Sequence, residues 1–157
     1  MQNLTKLWFS FQGRASRSDY WVRFVFLSLV LLIVACFADA FAGTKGAIVM
    51  VWQAAMLWPA FAVGVKRFHD RGKSGRSVVY LGCALLALGL VATFAAAPVE
   101  LAQESGMQPP PLYVGVMFAA TLAAGVLFIY LIVALGLRKG MTGPNQYGPD
   151  PAGAVSA

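Results

Sequence analysis

Charged residues are scarce in this sequence, and the side chains that usually build metal sites are scarcer still. Only 11% of the 157 residues are charged and 59% are hydrophobic, whereas about a quarter of the residues in a soluble domain are charged. The one histidine and the two cysteines, Cys36 and Cys83, show no spacing typical of metal ligands or of a CxxC motif. These absences exclude an ordinary soluble domain. We predict an integral membrane protein without a metal site or a cofactor.

Motifs of catalysis and nucleotide binding are also missing. Neither HExxH nor GxSxG occurs. Gly72-Lys73-Ser74 resembles the end of a phosphate loop, but Arg67 stands where that motif requires glycine, and no strand precedes it. His69 and Asp70 are adjacent, and adjacent residues of a helix point about 100° apart, so they do not form a ligand pair. We predict no catalytic residue and no enzymatic activity.

The chain does have four long apolar runs separated by polar segments. Each is long enough for the ~20 residues with which a helix crosses about 30 Å of hydrocarbon. Because backbone groups in lipid must be paired within the segment, and no alternating pattern is present, these runs predict helices and not strands. The predicted fold is therefore an all-α membrane protein with four transmembrane helices in two hairpins. The spans lie at about 21–41, 47–65, 78–97 and 112–137, inside a membrane domain of residues 21–137, and an irregular tail follows at 138–157.

Basic residues are concentrated on one side of these predicted spans. Eleven of the twelve lie on one side: in the N-terminal segment, at the start of the first span (Arg23), in the loop between the second and third spans, or in the tail. Only Lys45 lies on the opposite side. By the positive-inside rule both termini face the cytoplasm. The net charge of +6 then indicates attraction to anionic lipid headgroups, and we predict no binding to nucleic acid because no soluble domain presents a basic face.

The N-terminal segment, residues 1–20, contains two further patterns. Four apolar residues recur at helical spacing and predict a short amphipathic helix in the membrane interface: Leu4, Leu7, Trp8 and Phe11. Ser16 stands three residues before Asp19, as in a capping box, which favours a helix that starts near Ser16. The alternative is a polar flank followed by an aromatic belt.

Residues 33–36, Ile-Val-Ala-Cys, resemble the lipobox of bacterial lipoproteins. The region before this apolar run is long and has apolar residues of its own, unlike the short basic region of a signal peptide. We therefore predict that Cys36 is not a lipidation site.

Three polar stretches share the layer at the predicted cytoplasmic ends of the helices. We expect Asp19 and Asp70 each to pair with an arginine from another segment and so to tie the helix ends together. The surplus positive charge would then meet lipid phosphates.

The three stretches read FQGRASRSDYW at Phe11–Trp21, VKRFHDRGKSG at Val65–Gly75 and GPNQYGPDP at Gly143–Pro151. In this order, and separated by membrane helices, they resemble the bacterial inner-membrane family called domain of unknown function 805. The resemblance implies a small four-helix protein of the bacterial plasma membrane without an established activity. Where the family often has leucine and tryptophan, this chain has Phe68 and Arg76. The residues that recur in the family correspond here to Gly13, Arg14, Arg17, Tyr20, Trp21, Arg67, His69, Asp70, Ser74, Gly75, Asn145, Tyr147, Gly148 and Pro149.

Together these patterns predict a non-enzymatic inner-membrane protein whose cytoplasmic polar layer binds an anionic lipid headgroup or a protein partner, including a second copy of the chain. The alternative is a carrier or channel for a small solute. The candidate residues of the polar layer and of anion binding are Arg14, Arg17, Asp19, Tyr20, Trp21, Arg67, His69, Asp70, Arg71, Ser74, Gly75, Asn145, Tyr147 and Gly148.

Overall fold

A computed structural model describes residues 3–151, and within this range the chain forms helices and no strand. A short helix α1 is followed by four long helices, and α2 and α5 each contain a π-helical stretch, at Asp19–Phe26 and Val133–Leu137. The bounds are α1 Leu4–Phe9, α2 Asp19–Ala42, α3 Ala47–His69, α4 Arg76–Glu104 and α5 Pro111–Leu137. Helices α2 to α5 are long and apolar enough to cross a membrane. The predicted all-helical fold with four such helices is confirmed.

Two helices run further than the charge pattern indicates. Helix α3 continues through Lys66 and Arg67 to His69, although these residues were expected in a loop, and α4 continues past Pro98 to Glu104. Charge marks where a chain leaves hydrocarbon, but it does not end a helix, because lysine, arginine and glutamate are all good helix formers. Helix α3 ends instead at a turn in which Gly72 adopts a left-handed conformation with φ of 68°.

The chain divides into two compact units. The first contains residues up to Val78 and from Leu135 onward, and thus α1, α2, α3 and the tail. Here α2 and α3 pack together as the predicted hairpin, and α1 packs on α3. The second unit, Val79–Ala134, consists of most of α4 and α5. Its exposed apolar side chains include Phe94 and Phe118, which are 76% and 69% exposed to solvent.

Helix α1 directs part of its predicted apolar face toward protein. Leu7 and Trp8 are buried, and the Trp8 indole Nε1 donates a hydrogen bond to the carbonyl of Arg23 at 3.1 Å. Phe11 makes an edge-to-face contact with Trp58, with ring centroids 5.1 Å apart. Leu4 is exposed. The interfacial position of this helix stays a prediction.

Asp39, near the C-terminal end of α2, joins the two helices of the first hairpin. The Asp39 carboxylate accepts hydrogen bonds from the Thr44 hydroxyl at 2.6 Å and from the backbone N–H groups of Gly46 and Ile48 at 2.7 and 3.0 Å. It therefore satisfies free donors at the start of α3, where the helix dipole also favours a negative charge. Asp39 has a structural role in the hairpin.

Candidate functional site: the polar cap

The three motif segments meet at one end of the first unit. We call the polar cap the cluster formed by residues 13–17 before α2, residues 66–76 at the end of α3, and residues 138–150 of the tail. At its centre lie three charged side chains, Arg14, Arg67 and Asp70, which are only 2%, 0% and 4% exposed. Burial of charge on this scale is costly unless every group is paired. The partners of these side chains therefore determine how the segments are held.

Asp70 connects both arginines. Arg67 and Asp70 lie three residues apart at the end of α3, a spacing that brings them to the same helix face, and Arg67 Nη1 donates to Asp70 Oδ2 at 2.9 Å. The other carboxylate oxygen, Oδ1, accepts from Arg14 Nε at 3.0 Å. The backbone carbonyl of Asp70 also accepts from the N–H of Met141 at 2.8 Å. One residue thus contacts the N-terminal segment, α3 and the tail.

Arg14 fixes the tail through backbone carbonyls. Its Nη1 donates to the carbonyl of Gly143 at 2.6 Å, and its Nη2 donates to that of Met141. A longer contact of 3.4 Å joins Nη1 to the carbonyl of Gly148. Since a guanidinium has five donors in a rigid fork, a single side chain can hold several loop carbonyls in fixed positions.

Arg67 plays the corresponding role at the end of the last helix. Its Nε donates to the carbonyl of Leu135 at 2.6 Å and its Nη2 to that of Arg138 at 2.9 Å. Carbonyls at a helix C-terminus lack helical partners and carry partial negative charge, so they suit a buried cation. Arg67 Nη1 also reaches the carbonyl of Ala15 at 3.0 Å, which links the N-terminal segment to the same point.

The electrostatic balance of the cap depends on both arginines. Burial raises the pKa of the Asp70 carboxyl above its ordinary value, while the hydrogen bond from Arg14 and the positive charges of Arg67 and Arg14 act in the opposite direction. The two guanidinium groups share this one carboxylate, and backbone carbonyls accept further hydrogen bonds from both. Removal of Asp70 would take away the carboxylate that both buried cations share.

His69 and the third motif form a second junction. The imidazole ring of His69 stacks on the ring of Tyr147, with centroids 3.9 Å apart and an interplanar angle of 3°. Nδ1 of His69 lies 3.2 Å from the carbonyl of Gly13, which can only accept, so the proton is assigned to Nδ1. Asn145 Nδ2 donates to the carbonyl of His69 at 2.9 Å. The tail therefore docks on the end of α3 through both ring and backbone contacts.

Glycines allow the close approach of these segments. A Cβ atom on Gly140 would collide with the Asp70 carboxylate, and one on Gly75 would collide with Val65. A Cβ on Gly72 would overlap the sulfur of Met141. Gly75 thus has a packing role, and Gly140 is needed for the tail to pass over the buried ion pair.

The remaining candidate residues lie around this centre. Tyr20 is buried, and the Trp21 indole Nε1 donates to the carbonyl of Gly136 at 3.1 Å. The Arg71 guanidinium lies over the Phe68 ring at 5.4 Å. Arg17 and Ser74 are exposed.

The expected pairing of Asp19 with an arginine from another segment is wrong. Asp19 pairs with Arg23 of its own helix at 3.1 Å. It also forms the predicted capping box, since the Ser16 hydroxyl accepts from the Asp19 N–H at 3.0 Å and Asp19 Oδ2 accepts from the Ser16 N–H at 3.2 Å. Partners one helical turn away satisfy this carboxylate at little entropic cost, so it does not reach the centre of the cap.

Lys66 belongs to the cap but was not among the predicted site residues. Its side chain is fully buried, and its Nζ donates to the carbonyls of Leu7, at 3.0 Å, and Lys6. These carbonyls lie near the end of α1, so Lys66 fastens α1 to α3. The sequence does not distinguish a buried lysine such as Lys66 from one that extends toward water, because both can directly follow an apolar run.

With this geometry established, comparison with known proteins places the chain in a family. The family described as "Protein of unknown function (DUF805)" matches residues 8–149. The chain belongs to this family. The match includes the N-terminal, middle and tail segments that meet in the polar cap, so the resemblance inferred from the three motifs is confirmed.

Two curated relatives are similar over most of their length. Each is an "Uncharacterized protein YiiR", one from Escherichia coli strain K12 and one from Escherichia coli O157:H7. Each is 28% identical over 144 residues, which cover 90% of this chain and 86% of the relative. No solved structure shows significant similarity to the chain.

Proposed function

We propose that the protein is a non-enzymatic protein of the bacterial inner membrane whose polar cap faces the cytoplasm and presents exposed basic residues to anionic lipid headgroups. The observation that carries this proposal is that the basic residues fall into a buried set and an exposed set. Arg14, Lys66 and Arg67 are buried and donate to protein acceptors. A second set is exposed around them.

The exposed set comprises Arg17, Lys73, Arg76, Arg138 and Lys139. Its members lie at or within a few residues of the ends of α2, α3, α4 and α5. Basic side chains next to a membrane surface gain about 1 kcal/mol each from an anionic leaflet. This arrangement supports lipid binding by the exposed side chains and a purely structural role for the buried arginines.

Helix α1 supports the same orientation. Because Leu7 and Trp8 pack against protein, the apolar side chains left exposed are those of Leu4 and Phe9, which are 37% and 59% exposed. We propose that these two side chains enter the membrane interface, where short amphipathic segments bury apolar surface. The helix would then hold the edge of the polar cap at headgroup level.

Lipid-resolved native mass spectrometry tests the proposal. Full-length protein is released from a mixture of phosphatidylglycerol and phosphatidylcholine with identical acyl chains. The triple variant Lys73→Gln, Arg76→Gln, Arg138→Gln is expected to retain severalfold less phosphatidylglycerol than the wild type, with unchanged thermal stability.

The matched comparison is Arg14→Ala, in which a buried arginine is lost. We expect this variant to lose thermal stability, while its folded fraction keeps the phosphatidylglycerol preference. Equal retention by the triple variant and the wild type would contradict the proposal, because lipid binding would then not depend on the exposed charges.

A further inference from the structure

Helix α3 carries one side-chain amide within its apolar part. Gln53 lies in the uncharged run between Lys45 and Lys66, and it is the only asparagine or glutamine in the four predicted spans. It follows the start of α3 at Ala47 by six residues, a rise of about 9 Å along the helix. A glutamine side chain is shorter than this distance, so its amide does not reach the end of the helix. In a bilayer, Gln53 is therefore surrounded by hydrocarbon or by protein.

The amide of Gln53 is not bonded within residues 3–151. The residue is exposed, and in this part of the chain its side chain makes no hydrogen bond. The hydroxyls of Ser28 and Thr93, by contrast, donate to carbonyls of their own helices. A primary amide has two donors and one acceptor, which a helix with complete backbone bonds does not satisfy. Because an unbonded amide is costly in an apolar medium, this position favours an interaction with another molecule.

Gln53 belongs to an exposed face of α3 that is otherwise apolar. Met50, Gln53, Ala54 and Leu57 recur at i, i+3, i+4 and i+7, which places them on one side of the helix. All four are exposed, Met50 by 69% and Leu57 by 42%. Ala54 is small, so another helix can approach closely there. This spacing is typical of a helix that packs lengthwise against a second helix.

The amide on this face indicates which partner would cover it. An acyl chain offers no hydrogen-bonding group, whereas an amide has a donor and an acceptor and can pair with a second amide. Copies of one protein insert into a membrane in the same orientation, so their Gln53 residues lie at the same depth. A two-fold axis along the membrane normal then places each Gln53 opposite its counterpart. A symmetric interface requires such a self-complementary patch.

We infer that the protein forms a symmetric dimer in the membrane through this face of α3, in which the two Gln53 amides donate hydrogen bonds to each other. Met50, Ala54 and Leu57 pack around the pair. A single polar residue in an apolar helix interface can fix the register and the number of helices, as asparagine does in coiled coils. The inference does not depend on lipid binding by the polar cap, which lies at the other end of α3.

Energy transfer between copies of the full-length protein in lipid vesicles tests the inference. Copies with a donor fluorophore and copies with an acceptor fluorophore are mixed, and the transfer is measured as the protein is diluted with lipid. We expect the wild type to form a dimer that dissociates on dilution. Gln53→Leu should raise the dissociation constant about tenfold, because two equivalent hydrogen bonds are lost. Gln53→Asn keeps an amide on a shorter side chain and should retain part of the affinity.

Gln103→Leu is the matched control for the loss of the amide. Gln103 is also exposed and its side chain makes no hydrogen bond in the part of the chain that the structure describes, but it lies near the end of α4. This substitution should leave the dissociation constant unchanged. Both leucine variants should keep the thermal stability of the wild type, because neither loses a bond within the chain. A monomer at every dilution, or equal dissociation constants for the wild type and Gln53→Leu, would overturn the inference.

Cysteine cross-linking tests which face of α3 forms the dimer. Met50→Cys and Val51→Cys are compared in a background of Cys36→Ser and Cys83→Ser. The two native side chains are similarly exposed, by 69% and 71%, but only Met50 lies on the proposed face. Oxidation should join copies of the Met50→Cys variant and leave those of the Val51→Cys variant largely monomeric. Equal cross-linking of both variants would overturn the inference, because the dimer would then not use this face.

Discussion

Different kinds of interaction stabilise the interior of each of the two units. The first unit has charged side chains that are almost fully buried, and they join its N-terminal segment, α3 and the tail through backbone carbonyls. Among the described residues of the second unit, the buried side chains are small or apolar, as at Ala95, Val99 and Ala120. Apolar helices are stable in lipid by themselves, but lipid does not favour one helix arrangement over another. Specific polar contacts are therefore what gives the first unit a defined arrangement.

This difference predicts that substitutions in the polar cap cost far more stability than similar ones in the second unit. The largest effect is expected for Asp70→Asn. The substitution removes the negative charge that the buried Arg14 and Arg67 share, and loss of one partner from a buried ion pair costs about 3–5 kcal/mol. This loss is measured as the difference in the free energy of unfolding between wild type and variant, by denaturation in mixed micelles.

Asp19→Asn is the matched control for this prediction. Asp19 is also bonded to an arginine, but the pair lies one helical turn apart and is partly exposed, and such pairs contribute about 0.3–0.5 kcal/mol. A similar loss for both variants would mean that burial of the Asp70 pair is not what makes it important.

A glycine comparison tests the two units more directly. Gly140→Ala places a methyl group against the Asp70 carboxylate and should cost about 1–3 kcal/mol. Gly125→Ala in α5 meets nothing within 4 Å of the added Cβ. There it should be neutral or stabilise by up to about 1 kcal/mol, because alanine is the better helix former. The free energy of unfolding is measured in the same way for both variants. Equal losses at both positions would contradict the prediction that the first unit is more sensitive to substitution than the second.

The smallest effect concerns the ring of Tyr147. Tyr147→Leu removes its stacking on His69 and should cost about 0.5–1.5 kcal/mol, while Tyr147→Phe keeps the ring and should cost less. Protection of the amide hydrogens of residues 141–148 against exchange reports whether the tail stays docked. Equal protection in the leucine and phenylalanine variants would show that the stack does not hold the tail.

Some parts of this architecture are visible in the sequence, and the reason differs from part to part. Hydropathy located the four long helices because a helix in lipid needs a long apolar run. The local capping box of Ser16 and Asp19 was predictable from spacing alone. The partners of Arg14 and Arg67 could not be predicted from the sequence. Most of them are backbone carbonyls, which every residue has.

Two other features were hidden for related reasons. Gly140 looks like one of several turn-forming glycines of the tail, and only the position of Asp70 reveals that a side chain would not fit there. Asp19 was expected to reach across to another segment, but it found partners within its own helical turn. Nonlocal pairing of a charge depends on the tertiary structure, whereas local pairing can be read from spacing.

A double-mutant cycle between Arg14 and Asp70 tests the central claim most directly, namely that a buried ion pair ties the N-terminal segment to the end of α3. The free energy of unfolding is measured for Arg14→Met, Asp70→Asn, the double variant and the wild type. We predict a coupling energy of about 1–3 kcal/mol, in the range found for directly bonded residues. Additive losses, within about 0.5 kcal/mol, would contradict the account, since the two side chains would then stabilise the protein independently.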